Sequence, residues 1–218
     1  MLRADAVLVV AGSHLCRFCG FAPRYDVGSH LGLYTLLLAR VVGPNGVVVA
    51  LEPHHETYHH LLQNVELNEL SNVRAFEKAL GERTGSEKLY LGGVVANFSL
   101  LPGGVEGFAE RHTPFQWVGV VRGDEFVETE KLPVPRAVKI DVEGFEYSVI
   151  KGLQGTLAAR ECELVCCEVH PRLLPEGVTQ GEIIDFLRSC GYNRFDVLPR
   201  PPDQHILAFK DGEEASER

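Results

Sequence analysis

A glycine loop between a strand-like and a helix-like segment is the feature that most constrains how this chain can fold. The loop lies in RYDVGSHLG, which starts at Arg24, and it leads into a run from Leu31 to Val42 that is apolar nearly all round, as in a helix packed under a sheet. The β-branched run GVVVALEP follows and is typical of a buried parallel strand. This order predicts the first unit of a parallel α/β sheet.

The rest of the chain continues the alternation. Pro53 starts a segment whose apolar residues recur at helical spacing, and Thr179 with Glu182 forms a capping box before a helix that stops at Gly191. Further strands are predicted at NVRAFEKAL, AVKID and ELVCCEVH, and a closing hairpin at YNRFDVL with QHILAFK. We therefore expect an α/β, Rossmann-like doubly wound sheet that is mostly parallel, with an antiparallel C-terminal hairpin strand.

The chain divides into three predicted parts. Residues 1–25 form a short irregular segment, residues 26–210 a single domain, and residues 211–218 a polar tail. Within the domain, residues 86–127 are rich in glycine and proline and interrupt the alternation. We interpret them as a β-rich insert, a hairpin or meander at the strand ends, that shapes a substrate pocket with its aromatic residues. These aromatic residues are Phe98, Phe115 and Trp117.

Composition narrows the class of partner. The net charge of −9 disfavours nucleic acid and anionic lipid as main partners, and no apolar run is long enough for a membrane span. The six cysteines include three in or beside one apolar strand, so we expect reduced thiols in a cytoplasmic protein. The pair Cys16 and Cys19, with His14 and His30 nearby, leaves a metal or redox site open.

Four acids close, or nearly close, predicted strands, and ligands of parallel sheets bind outside the carboxyl ends of the strands. We therefore expect these side chains to point into one crevice. They are Asp26, Glu52, Asp141 and Glu168.

The loop itself indicates which ligand this crevice takes. It lacks the middle glycine of a dinucleotide fingerprint, and His30 and Leu31 would crowd a pyrophosphate. Asp26 repels phosphate but suits an ammonium group, and Glu52 can accept hydrogen bonds from ribose hydroxyls. A ligand with a ribose and a cation but no phosphate fits, and S-adenosylmethionine meets that description better than NAD does.

Two further motifs carry polar groups at strand ends. Asp141 and Glu143 precede a predicted helix, and Glu168 and His170 alternate with Val169, so both point to one side of their strand. We expect His170 or Glu168 to take the proton of an acceptor hydroxyl while Asp141 orients it. A structural Glu–His hydrogen bond, or a divalent ion held by Asp141, Glu168 and His170, remains an alternative.

A second histidine group lies near the start of the helix that follows Pro53. Histidines at i,i+4 can bind a metal, but a solvated face is the simpler interpretation because the other face of the helix is apolar. The four are His54, His55, His59 and His60.

Several of these motifs, in order from Asp26 to about Leu198, resemble FkbM-type methyltransferases. They are DVGSHLGLYTLL, ALEP, LLQNVELN, NVRAFEKALGERTG, VKIDVEGFEYSVIKG and EVHP. The resemblance implies a class I methyltransferase fold, S-adenosylmethionine as donor, and usually O-methylation of a sugar, polyketide or other natural-product hydroxyl.

The resemblance also implies two sets of site residues. The implied cofactor set is Asp26, Gly28, Gly32 and Glu52, to which we add the neighbouring His30 and Pro53, and the set that faces the reacting centre is Asp141, Glu143, Glu168 and His170.

The chain departs from the family pattern at two places. Ser29 and His30 replace the usual Ala-Asn of the loop, and Pro23 with Arg24 interrupts a first strand that is usually apolar. An irregular first strand would impair closure over the donor. A catalytically silent module that still binds the cofactor is therefore one alternative, and an NAD(P)-dependent oxidoreductase is another. The oligomeric state is not predicted.

Overall fold

The computed structural model describes residues 21–92, 98–102 and 112–210. The polar tail, Cys16, Cys19 and most of the predicted N-terminal segment lie outside these residues. In chain order the strands are β1 (Arg24–Val27), β2 (Val48–Leu51), β3 (Val73–Phe76), β4 (Ala79–Gly81), β5 (Gly85–Leu91), β6 (Phe98–Ser99), β7 (Phe115–Arg122), β8 (Ala137–Ile140), β9 (Leu164–Val169), β10 (Arg194–Arg200) and β11 (Asp203–Phe209). The helices are α1 (Leu33–Val42), α2 (His55–Leu67), α3 (Gly123–Thr129), α4 (Glu146–Gly152), α5 (Gln154–Ala158) and α6 (Gln180–Ser189).

The main sheet has seven strands in the order β10-β11-β9-β8-β1-β2-β3. Strands β3, β2, β1, β8 and β9 run parallel, whereas β11 pairs antiparallel with both β9 and β10. The predicted doubly wound sheet with an antiparallel C-terminal hairpin is confirmed. Strands β1 and β8 are central neighbours, so the residues after them meet at one edge of the sheet.

The predicted strand NVRAFEKAL is wrong as a single element. Val73–Phe76 pairs in the main sheet as β3, but Ala79–Gly81 leaves it and pairs parallel with β7 in a second sheet, ordered β4-β7-β5-β6. β4 packs closely on α4, because a Cβ on Gly152 of α4 would stand 1.9 Å from the Gly81 carbonyl oxygen. The predicted insert, residues 86–127, contains most of β5 and all of β6 and β7, and its last residues belong to α3. Residues 93–97 and 103–111 of the insert lie outside the described ranges.

The first strand is regular in spite of Pro23. The proline lies just before β1, and its carbonyl accepts the Arg136 amide, so no amide donor is missing from the pairing of the strand. Arg24 is fully buried, and its Nη1 donates to the carbonyls of Ala22 at 2.8 Å and Pro23 at 3.1 Å. The predicted irregularity of this strand is therefore wrong for the described residues.

The core lies on both faces of the main sheet, and β1, β2, β8 and β9 are buried along their whole length. Helix α1 is not buried all round as predicted, because Leu33 and Leu37 are 64% and 42% exposed.

Four described cysteines are buried free thiols: Cys162, Cys166, Cys167 and Cys190. Across the described ranges, no helix is both long and apolar enough to cross a bilayer.

Candidate active site

The glycine loop is held against the ends of two neighbouring strands. The amides of Gly28 and Ser29 both donate to the carbonyl of Leu51, the last residue of β2. Gly28 has a positive φ of 77°, and a Cβ there would stand 1.8 Å from the Asp141 carbonyl oxygen. The position therefore requires glycine because the chain after β8 passes so close.

The other predicted loop glycine has a packing role. Gly32 caps α1 with φ 92°, and a Cβ there would meet the Leu61 side chain of α2 at 2.5 Å. Gly32 does not line the cleft described below.

Glu52 joins the loop to the start of α2. Its two carboxylate oxygens accept the backbone amides of His30 and His54, each at 2.9 Å. The side chain is buried, and this burial raises the pKa of Glu52 to about 7 although the two amides oppose the rise. Each oxygen keeps a second lone pair that can accept a hydroxyl hydrogen.

These groups form one wall of a cleft at the carboxyl ends of β1, β2 and β8. Of the predicted cofactor residues, the cleft brings together Gly28, His30, Glu52 and Pro53. Of the predicted acceptor residues, it adds Asp141 and Glu143. An apolar wall opposite is made by Leu80, Leu89 and Phe98. The predicted crevice is therefore real, but only part of the predicted set lines it.

Asp26 does not reach this cleft. It is fully buried, accepts the Thr35 hydroxyl at 2.6 Å, and lies 3.1 Å from the ammonium of Lys139. The same ammonium donates to the Gly28 carbonyl at 2.7 Å and stands 3.7 Å from Asp141. Asp26 thus lies behind the cleft instead of pointing into it as expected, and Lys139 neutralises its carboxylate.

Lys139 is a residue that the sequence interpretation missed. Burial opposes its charge, but Asp26 and Asp141 raise its pKa above the ordinary value, so it stays an ammonium. It connects the glycine loop to β1 and to the end of β8. Its position inside the apolar strand AVKID, next to an acid, was the available signal.

His170 is buried among carboxylates. Its Nδ1 lies 2.6 Å from Glu146 Oε1, and its Nε2 lies 3.6 Å from Glu143 Oε2 and 4.0 Å from Asp141 Oδ1. Burial alone would lower the pKa of His170, but the hydrogen bond and charge of Glu146, with Glu143 and Asp141, raise it to about 9. A free imidazole base at neutral pH, as predicted, does not fit these surroundings.

Glu168 lies apart from the cleft. One carboxylate oxygen accepts from Arg200, and the other is 3.1 Å from His205 Nε2. Burial would raise the pKa of Glu168, but His205 and Arg200 lower it to about 2. Glu168 therefore does not line the cleft as predicted, and a carboxyl with so low a pKa is a poor acceptor for a hydroxyl proton.

The histidine group on α2 does not present one solvated face. His54 is buried as the N-cap, its ring accepts from the Thr57 amide, and it packs on Phe98 with ring centroids 4.2 Å apart. His55 pairs with exposed Glu77 at 2.9 Å, and His59 and His60 are exposed. The solvated-face prediction is therefore wrong for His54.

Of the predicted pocket aromatics, Phe98 lines the cleft, whereas Trp117 and Phe115 are 60% and 44% exposed on β7.

Comparison with known proteins identifies the family of the chain. The family described as methyltransferase FkbM domain matches residues 26–194. A hexuronic acid methyltransferase, AglP of Haloferax volcanii, is 28% identical over 156 residues, which cover 72% of this chain and 59% of that protein. Methyltransferase 1 of Beauveria bassiana is 28% identical over 148 residues, covering 59% and 57%. The chain thus spans less than two thirds of the length of either relative.

Solved structures agree on the fold. A SAM-dependent O-methyltransferase from Thermotoga maritima superposes with a TM-score of 0.56 at 13% identity, covering 99% of this chain and 68% of that one. At this identity the likeness concerns the fold alone. The class I methyltransferase fold expected from the sequence is confirmed.

Proposed function

The chain belongs to the FkbM methyltransferase domain family, and from that premise we propose that it transfers a methyl group from S-adenosylmethionine to a hydroxyl oxygen of a small acceptor such as a sugar. The observation that carries the proposal is that carboxylates from two different strand ends line one cleft. Glu52 lies on its β2 side, and Asp141 and Glu143 lie on its β8 side. A donor held by Glu52 and an acceptor held by Asp141 and Glu143 would therefore meet in this cleft.

The donor binds along the glycine loop. The free lone pairs of Glu52 accept the ribose hydroxyls, and Leu80, Leu89 and Phe98 offer an apolar wall for the adenine ring. His30 sits in the loop with φ 50°, held by its amide bond to Glu52. The loop is therefore fixed by protein contacts before the ligand arrives.

The acceptor binds at the end of β8. Methyl transfer is an in-line displacement, so the acceptor oxygen, the methyl carbon and the sulfur must be aligned, with water excluded. Asp141 and Glu143 are the cleft carboxylates that can hold the acceptor oxygen, and His170 lies behind them. Glu168 supports this region through the hairpin rather than touching the acceptor.

A sugar acceptor is favoured by the hexuronic acid named for the relative from Haloferax volcanii. The test is transfer of radiolabelled methyl from S-adenosylmethionine to a phenyl glucuronide and to the matching uncharged phenyl glucoside. We expect label in at least one glycoside, and Asp141→Asn should lower kcat at saturating donor. Glu163→Gln is the matched control, since Glu163 precedes β9 at the opposite end of the sheet and pairs with Arg136.

A result without transfer separates two explanations. Binding of the donor without label in any hydroxylated acceptor would favour the silent module. Failure to bind the donor at all would contradict the proposed function itself.

A further inference from the structure

Three potential ligand atoms converge where the chain leaves β8 and β9. Asp141, Glu143 and His170 each offer one such atom, and these atoms all lie within 4.8 Å of one another. The His170 Nε2 is 3.6 Å from Glu143 Oε2 and 4.0 Å from Asp141 Oδ1, and it makes no hydrogen bond to the described residues. We propose that these three side chains bind a divalent transition-metal ion.

The orientation of His170 is the independent observation behind this proposal. Its side chain is only 6% exposed, and its Nδ1 faces Glu146 Oε1 at 2.6 Å. Glu146 is fully buried and is itself fixed by the Gly144 amide at 2.8 Å. Because a carboxylate only accepts, Nδ1 carries a hydrogen, and Nε2 is left as the ring atom that can bind a metal ion in place of a proton. A ligating histidine is commonly held by a carboxylate in this way.

The convergence needs a cation. Two carboxylate oxygens and Nε2 attract a cation, which is either a proton on Nε2 or a metal ion in its place. A proton on Nε2 would relieve the cluster only through a contact of 3.6 Å, longer than an ordinary hydrogen bond. An ion with ligands at roughly 2.0–2.2 Å would hold them up to about 4.4 Å apart, close to the observed spacing.

A competing cluster shares His170 but is less suited. Glu168, His170 and Asp203 also have ligand atoms within 4.8 Å of one another. Both Glu168 oxygens are already engaged by Arg200 and His205, however. An ion there would have to displace the charge of Arg200, so Asp203 serves as the control position.

The ligand set indicates the class of ion. One imidazole nitrogen with two carboxylate oxygens favours Mn²⁺, Co²⁺ or Zn²⁺ over Ca²⁺ or Mg²⁺. Asp141 and Glu143 line the cleft, so the open coordination positions face it. An acceptor hydroxyl bound there would give up its proton more readily. That role rests on the proposed function, but binding of the ion does not.

The test measures the ion alone, without donor or acceptor. Co²⁺ is titrated into the metal-free full chain and followed by visible absorption, and calorimetry with Mn²⁺ gives the affinity. We expect one equivalent to bind, and His170→Gln and Asp141→Asn each to weaken binding at least about tenfold. Asp203→Asn should bind as the parent does, and circular dichroism checks that each variant is folded.

Three results would overturn the proposal. They are no binding at millimolar metal, unchanged binding by Asp141→Asn, or a loss in Asp203→Asn equal to that in His170→Gln. If either ligand variant does not fold, Glu143→Gln takes its place with the same expected loss. Methyl transfer is scored separately, so failure of metal binding and failure of the proposed function remain distinguishable.

Discussion

Replacing Lys139 with methionine should be unusually costly for a single substitution. The side chain of Lys139 is 7% exposed and that of Asp26 is fully buried, with 3.1 Å between ammonium and carboxylate. Lys139→Met keeps the volume but leaves Asp26 as an uncompensated buried charge. Breaking a buried pair in this way costs about 3–5 kcal/mol. For a chain of this size that is a fall in Tm of roughly 6–20 °C.

A matched control separates this effect from the loss of a lysine as such. Lys151 pairs with Glu82 at the surface, where the side chains are 30% and 45% exposed. Lys151→Met should therefore cost less than about 1 kcal/mol. Adding Asp26→Asn to Lys139→Met should restore part of the stability, because no buried charge then lacks a partner.

The assay is urea unfolding at neutral pH, with the free energy of unfolding taken from the midpoint and slope. A loss of unfolding free energy in Lys139→Met no greater than that in Lys151→Met would refute the buried-pair effect. The effect is also refuted if Asp26→Asn adds its own full cost to Lys139→Met with no recovery.

The remaining predictions concern the loop, the cofactor and one helix cap. Gly28→Ala should cost about 2–5 kcal/mol in thermal or urea unfolding, because a positive φ and a close backbone contact both oppose a Cβ, whereas Gly85→Ala, with open space around it, should change little. The affinity for S-adenosylhomocysteine should fall up to about tenfold per pH unit below pH 7 and level off above it, because the proton taken up by Glu52 competes with the ribose hydroxyls. Calorimetry that shows the same affinity at pH 5.5 and pH 8 would contradict this. Thr179→Ala should cost about 1 kcal/mol in urea unfolding, since it removes the acceptor of the Glu182 amide, and an unchanged midpoint would argue against the cap.

The alternation of strands and helices, and the closing hairpin, could be expected from the sequence, because the buried strands are β-branched or apolar runs and the turns between them are marked. The split of NVRAFEKAL was not expected from the sequence, although the consecutive charges of Glu77 and Lys78 interrupt its apolar residues where β3 ends. The second half of the segment pairs with β7, and the close contact of Gly81 with Gly152 is distant in sequence, so a reading of the local pattern does not reveal either.

The residues that line the cleft were predictable where a motif fixes the backbone. They were less predictable where the position of a side chain depends on its ion-pair partner. Glu52 and Asp141 line the cleft because strand ends place them there. Asp26 and Glu168 also lie on strands, but Lys139 and Arg200 neutralise them from neighbouring strands or the hairpin. A pattern of single residues does not reveal such pairings.

The central claim is that the cleft binds S-adenosylmethionine through Glu52. The most direct test is calorimetric titration with S-adenosylhomocysteine of the parent protein, of Glu52→Gln, and of Glu56→Gln as an exposed control in the first turn of α2. We predict micromolar binding to the parent and the control, and a loss of at least about tenfold in Glu52→Gln with the fold retained. Equal affinity of all three proteins, or no binding by the parent, would contradict the account.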